Sequence, residues 1–270
     1  MHPILLGSPD GFAIRSYGFM LALSFMIGIY LATRRAKKLG IEPNQIMDLS
    51  IWIIIASVVG SRLLYVIYHL DEFRGRWLDI INPIQSSGGF GIGGLTMLGG
   101  VVLAIVVGFV YLRRKKMPFL RTSDTIIPSV ALGIFLTRIG CFFNGCCHGI
   151  ESNVPWAVTF SDPHCAVVYN MLNKPLHPAQ LYSSFYGLFI FIVLLIVERY
   201  KKFDGMLFFL FLICYGLSRF LVDFVRYYDN YFGNFFGVDI TVNQVISLGM
   251  VLVGMVFLVI NYTKLKKLKQ

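Results

Sequence analysis

Charge is scarce in this sequence. Only 14% of its 270 residues are Asp, Glu, Lys or Arg, where an average chain carries roughly a quarter. Acidic residues are the rarer sign, 14 against 24 basic ones, and there are only five His and five Cys. So little charge excludes a soluble domain of this length, which could not hide its apolar surface. The net charge of +10 does not point to nucleic acid, because Lys and Arg fall in short runs between apolar stretches and form no single stripe. Five cysteines are too few for a disulfide scaffold. The first sixteen residues carry Pro3, Pro9 and Asp10 and lack an apolar core before a small-residue cleavage site, so no cleavable signal peptide is expected.

What is abundant is apolar. Hydrophobic residues make up 56% of the chain, 24 of them Phe. A hydrocarbon layer about 30 Å thick takes about 20 helical residues to cross. Four uncharged runs meet that length: Ser16–Thr33, Gly88–Leu112, Pro178–Val197 and Ile240–Thr263. Three more contain charge: Leu49–Tyr68 holds Arg62, Thr125–Cys147 holds Arg138, and Gly205–Val225 holds Arg219 and Asp223. The expected fold is an all-α integral membrane protein of about seven transmembrane helices, in one domain spanning 1–270, with no internal repeat.

Basic residues mark the cytoplasmic side. Sixteen fall on one side of the spans: Arg34, Arg35, Lys37, Lys38, Arg113, Arg114, Lys115, Lys116, Arg121, Arg199, Lys201, Lys202, Lys264, Lys266, Lys267 and Lys269. Five fall on the other: Arg15, Arg74, Arg76, Lys174 and Arg226. This bias puts the N-terminus outside and the C-terminus in the cytoplasm. The outward loop 148–177, with its aromatic, Pro and Asp residues, is long enough for a small folded cap. The Gly88–Gly100 stretch admits two readings, close helix packing through small residues or a broken segment lining a cavity.

An arginine inside a membrane costs about 2.5–3.5 kcal/mol on insertion scales, so Arg62, Arg138 and Arg219 each need compensation. Asp223, one turn beyond Arg219 on the same face, could supply an ion pair. Alternatively the arginines converge on an anionic ligand such as a lipid phosphate, which the planar guanidinium binds in pairs of hydrogen bonds. The densest cluster of polar marks is Arg138-Ile-Gly-Cys-Phe-Phe-Asn-Gly-Cys-Cys-His-Gly149, which reads as a turn around a polar site. Its adjacent cysteines do not match the usual paired zinc spacing, so no metal is expected from Cys141, Cys146, Cys147 and His148. A disulfide to Cys165 fits an oxidising face better. Tyr17 and Tyr182 would be satisfied by the aromatic belt alone, and His177 by capping a helix start.

These motifs together resemble the prolipoprotein diacylglyceryl transferase family. The resemblance is carried by Ser16-Tyr17-Gly18, Gly60-Ser-Arg62-Leu-Leu-Tyr65, the double glycines of Gly93–Gly100, Arg138-Ile-Gly140 through Asn144-Gly145 to Gly149, and Pro155-Trp-Ala-Val158. It continues with His177-Pro-Ala-Gln-Leu-Tyr182 and Tyr215-Gly216 through Arg219, Asp223 and Arg226. It implies a multi-pass enzyme of the bacterial cytoplasmic (inner) membrane with a periplasmic cap. The implied reaction moves a diacylglyceryl group from phosphatidylglycerol to the lipobox cysteine of a preprolipoprotein signal peptide, releasing glycerol phosphate. No cofactor is implied, and a monomer is expected. Carried over residue by residue, the resemblance gives catalytic roles to Tyr17, Arg138, Tyr215 and Arg219. It gives substrate-binding roles to Arg62, Arg138, Asn144, Gly149, His177, Arg219, Asp223 and Arg226. There are departures: Leu98 stands where many members have a histidine, Cys141 and Cys146 replace an asparagine and a glutamate of the signature, Ser183 replaces a glutamate, and Asp223 a glutamate. A divergent transferase with another donor or acceptor, or a non-catalytic anionic-lipid-binding or transport protein, remain the alternatives.

Overall fold

The computed structural model describes residues 2–7, 13–75, 94, 96–228, 233–235 and 238–267. Among them are six helices long and apolar enough to cross a membrane: α1 (Ser16–Lys38), α2 (Pro43–Tyr68), α4 (Met97–Arg114), α5 (Phe119–Asn144), α6 (Ala179–Glu198) and α8 (Val242–Lys267). A one-turn helix α3 (Leu70–Phe73) follows α2, and the seventh apolar helix, α7 (Met206–Val222), is shorter. The all-α membrane fold expected from the apolar runs is therefore present. The remaining regular structure is three two-stranded sheets: β1 (Ile4–Gly7) with β2 (Ala13–Arg15), β3 (Val158–Thr159) with β4 (Pro175–Leu176), and β5 (Gly233–Phe235) with β6 (Val238–Ile240).

The helix ends follow local chemistry. α2 begins six residues before the apolar run does because Pro43 occupies its first turn, where a missing N–H costs nothing. α1 runs on past the apolar run through Arg35, Lys37 and Lys38, cations that favour a helix C-terminus. α8 is opened by a reciprocal cap: Gln244 N–H donates to Thr241 Oγ1 (3.1 Å) and Thr241 N–H to Gln244 Oε1 (2.9 Å), which satisfies two otherwise orphaned donors.

The chain divides into two compact units. In the unit formed by residues 7–13 and 33–122, α2 and α4 approach through glycine. A side chain at Gly60 would strike Gly99 O and Leu103 Cβ, and one at Gly99 would strike Gly60 O and Leu64 Cβ. Of the two readings of the glycine stretch, close helix packing holds for Gly99 and Gly100. Gly88–Gly93, where span three was expected to begin, lie outside the described residues. Thr96 ties the start of α4 to α2, its N–H (3.1 Å) and Oγ1 (3.0 Å) both donating to Ser61 O. Arg62 belongs to this unit; its Nη1 donates to Gly94 O at 3.3 Å, and its guanidinium lies over the rings of Tyr65 and Phe73. Large apolar side chains such as Trp52, Ile55, Val59, Val102 and Ile105 are exposed, as suits a lipid-facing surface.

The second unit holds residues 1–6, 14–32 and 123–270. Its apolar core lies between α5, α6 and α7, around Ile127, Ala131, Ile190, Leu194, Leu207 and Phe211. Small residues set the distances here too. Gly187 of α6 lies against Phe135 N and Ala131 O of α5, and Gly216 of α7 against Ser247 O of α8. The base of the unit is pinned by Asp124, wholly buried, which accepts hydrogen bonds from Gly205 N (2.7 Å) and Phe208 N (2.9 Å) and pairs with Lys201 at 2.9 Å. A carboxylate at the N-terminus of α7 satisfies orphan N–H groups and the helix dipole together.

Candidate active site

The polar residues of the second unit gather where α5 and α7 end. α5 stops at Asn144 because Gly145 takes a left-handed conformation (φ 82°), and the chain then turns sharply through Cys146 and Cys147. Cys147 is itself left-handed at φ 60°, a conformation disfavoured for any residue with a Cβ. The turn is held by Gln180, wholly buried, whose Nε2 donates to Cys146 O at 2.9 Å. Beyond it, a small backbone lattice joins three segments. Gly149 N donates to His177 O (2.9 Å), Ile150 N to Val225 O (3.0 Å), His177 N to Ile150 O (3.0 Å) and Tyr227 N to His148 O (3.1 Å). Gly149 sits at its centre, and a Cβ there would lie 2.5 Å from His177 Cβ and 2.6 Å from Val225 O. Only glycine fits.

Arg219, in the last turn of α7, is buried and pairs with Asp223 at 3.1 Å. The Tyr228 hydroxyl accepts from Arg219 Nη2 (2.7 Å) and from Asn243 Nδ2 (3.1 Å) and donates to Asp223 Oδ1 (2.8 Å). Thr241 Oγ1 donates to the other carboxylate oxygen at 3.1 Å. Asp223 thus has both oxygens engaged, while Arg219 Nη1 and Arg226 Nε are buried without a partner among the described residues. Burial pushes the Tyr228 phenol up to about 12, opposed by the Arg219 and Arg226 charges and reinforced by Asp223. It is therefore a neutral donor at any ordinary pH. The Arg226 guanidinium lies over the Tyr228 ring, 4.9 Å from its centroid.

Arg138 stands less than two turns before the end of α5 and has no carboxylate partner among the described residues. It interacts electrostatically with Tyr186, Tyr215, Cys141 and Cys147. Shared neighbours tie the arginines together: Tyr186 senses Arg138 and Arg219, and Cys147 senses Arg138 and Arg226. Tyr17, exposed at the start of α1, senses Arg138 and all three cysteines of the turn. Its backbone is held close to α5, since a Cβ on Gly140 would lie 2.8 Å from Met20 Cβ and 3.3 Å from Tyr17 Cα.

The remaining expected residues lie around this group. Asn144 closes α5, and its carbonyl accepts from Ala166 N at 2.8 Å. His177 Nδ1 lies 3.1 Å from Tyr182 Oη, which accepts from Trp156 Nε1 at 2.6 Å. Because Trp156 can only donate, the tyrosine proton is free for His177 Nδ1. The disulfide expected at Cys165 is absent: all five cysteines are free thiols. Cys165 lies beside the turn, its Cβ 3.1 Å from where a Cβ on Gly145 would stand, with its side chain in an apolar cluster with Phe160 and Leu176. The sequence reading missed Tyr228, Thr241, Asn243 and Tyr186. A polar Thr-x-x-Gln cap at the head of α8 was the available signal for Thr241.

Among the described residues two arginines lack a carboxylate and stand beside a third that has one, a group of donors with little negative charge of its own. Residues 3–260 match the family described as prolipoprotein diacylglyceryl transferase. Similar proteins named phosphatidylglycerol–prolipoprotein diacylglyceryl transferase include that of Finegoldia magna, 31% identical over 255 residues that cover 94% of this chain and 93% of the relative. That of Thermotoga maritima is 32% identical over 247 residues, 90% and 80% of the two chains. That of Idiomarina loihiensis is 32% identical over 265 residues, 95% and 92%. The match spans all seven apolar helices and the arginine-lined turn alike, and the chain belongs to the prolipoprotein diacylglyceryl transferase family.

Proposed function

We propose that this chain transfers the diacylglyceryl group of phosphatidylglycerol to the thiol of a lipobox cysteine in a preprolipoprotein, releasing glycerol phosphate. The observation that carries the reading is the surplus, among the described residues, of guanidinium over carboxylate around Arg138, Arg219 and Arg226, with Arg219 Nη1 and Arg226 Nε buried and unpartnered there. Buried charge left unpaired is strongly unfavourable, and a lipid phosphodiester supplies the missing anion. In the reaction the thiol sulfur attacks the glyceryl carbon, and the C–O bond to phosphate breaks. Arginines already in place stabilise the charge that builds on the departing phosphate.

In this reading Arg138 and Arg219 are catalytic, holding the phosphate as it leaves, and Tyr17 and Tyr215 flank the reacting group. Arg226, Asn144, Gly149, His177 and Asp223 shape the binding surface. The site faces outward and the enzyme sits in the bacterial cytoplasmic membrane as a monomer, in agreement with the basic residues that flank the opposite helix ends. The test is complementation of a strain depleted of its own transferase. Rescue by the unmutated chain and not by Arg138→Ala is expected. Failure of the unmutated, membrane-inserted chain to rescue would reject the reading.

A further inference from the structure

Three of the five free thiols are gathered at one place. The Sγ atoms of Cys141, Cys146 and Cys147 all lie within 4.8 Å of one another. Adjacent cysteines after a helix would ordinarily diverge. Here the left-handed Gly145 and Cys147 fold the chain back on the last turn of α5, and Gln180 anchors the Cys146 carbonyl at 2.9 Å. Cys147 thus holds a conformation that its side chain disfavours, directly after a carbonyl anchored by a buried side chain. Apolar packing does not explain it, because Tyr17, Arg138 and Arg226 all lie within electrostatic reach of the sulfurs.

The spacing suits a metal ion. Zinc–thiolate bonds of about 2.3 Å set the ligand sulfurs of a tetrahedral site about 3.8 Å apart, within a small side-chain adjustment of the observed cluster. Thiolates select zinc or copper(I) over the hard cations. Three thiolates around Zn²⁺ carry a single negative charge, and Arg138 and Arg226 stand ready to balance it. Three protein ligands leave a tetrahedral ion one open position, the arrangement of catalytic and not of structural zinc.

We propose that Cys141, Cys146 and Cys147 bind one zinc ion as thiolates and leave its fourth position to the acceptor cysteine of the substrate. The inference rests on the transferase reading and supplies what that reading lacks, a source of thiolate. Around the arginines the one carboxylate among the described residues, Asp223, has both oxygens engaged, and His177 Nδ1 faces the Tyr182 hydroxyl. A thiol bound to zinc gives up its proton outright. The acceptor S–H proton passes to water as the Zn–S bond forms. The sulfur then attacks the glyceryl carbon; the S–C bond forms, the C–O bond breaks, and its electron pair leaves with glycerol phosphate. No redox change occurs.

Full-length protein purified in detergent without chelator should hold one zinc per chain by elemental mass spectrometry, and Cys141→Ser with Cys147→Ser should lose it. Cobalt(II) exchanged into the unmutated protein should show thiolate charge-transfer bands, and a lipobox peptide should shift its visible bands where the same peptide with serine does not. Stripping the metal should slow transfer about thirtyfold at pH 7, the ratio between a fully ionised thiol and the few per cent ionised at a pKa of about 8.5. Phosphatidylglycerol binding should not change. The cobalt signal needs no turnover, so a thiol-dependent shift without transfer supports the zinc site and rejects the transferase reading alone. Metal-free unmutated protein that transfers at the full rate overturns the zinc site and leaves the transferase reading standing. So does folded protein that takes up neither zinc nor cobalt, or that remains active with Cys141 disulfide-bonded to Cys146 or Cys147.

Discussion

Arg219 and Asp223 lie one turn apart at the end of α7, 3.1 Å from each other, and a single hydroxyl, that of Tyr228, bridges them by accepting from one and donating to the other. The pair is buried, and the carboxylate's second oxygen is taken by Thr241. Asp223 therefore neutralises and orients Arg219, and leaves Nη1 of the guanidinium without a partner among the described residues.

Asp223→Asn should leave a buried guanidinium without its counter-ion. Loss of one partner of a buried pair costs about 3–5 kcal/mol, so a large fall in the thermal unfolding midpoint in detergent is expected. Added phosphatidylglycerol should restore part of it, more than in the unmutated protein. An unchanged midpoint would show that the pair does not carry the charge balance of α7.

Tyr228→Phe removes the bridge and nothing else of comparable size. The expected loss is about 1–3 kcal/mol, the penalty for a buried polar group left unsatisfied. Between the usual tyrosine value of about 10 and the folded value of about 12, the folded protein holds a proton that the unfolded chain has lost. Stability should therefore fall as pH rises through that window. The fall should be smaller in Tyr228→Phe, as pH-dependent unfolding curves of the two proteins would reveal.

Arg138→Lys keeps the charge and loses the planar fork. If two hydrogen bonds to one phosphate matter, it should transfer nearly as poorly as Arg138→Ala, with a loss of about 10²–10³ in turnover. Neither variant should unfold at a lower temperature, because Arg138 has no carboxylate partner among the described residues to strand. Near-normal turnover in Arg138→Lys would show that charge alone suffices.

Gly149→Ala places a methyl group 2.5 Å from His177 Cβ and 2.6 Å from Val225 O. The backbone lattice that joins the ends of α5 and α7 must then open, at a cost of about 1–3 kcal/mol. Transfer should drop with it. Gly18→Ala, with nothing within 4 Å of the added atom, is the matched control and should be silent.

Much of this was legible in the apolar runs. α6, expected over 178–197, is observed at Ala179–Glu198, since no charge interrupts the run. α5 was misjudged at both ends for tertiary reasons. Its first turns are polar, yet helical, because Asp124 is held there by the start of α7. It stops three residues early because Gly145 is left-handed. The Arg219–Asp223 pair could be read from its i, i+4 spacing. Tyr228 could not, since it reaches Arg219 and Asp223 from beyond the end of α7, and neither could Asn243, which reaches the Tyr228 hydroxyl from α8. The cysteine turn shows the same limit: linear spacing does not reveal that the sulfurs of Cys141, Cys146 and Cys147 lie within 4.8 Å of one another, which the left-handed Gly145 and Cys147 accompany.

The most direct test of the account is the mass of a lipobox peptide after incubation with the purified full-length chain and phosphatidylglycerol of known acyl composition. The account predicts an increase equal to the diacylglyceryl group on the cysteine peptide, none on the serine peptide, and one glycerol phosphate released per modified thiol. A cysteine peptide that returns unmodified, from protein that is folded and binds phosphatidylglycerol, would contradict it.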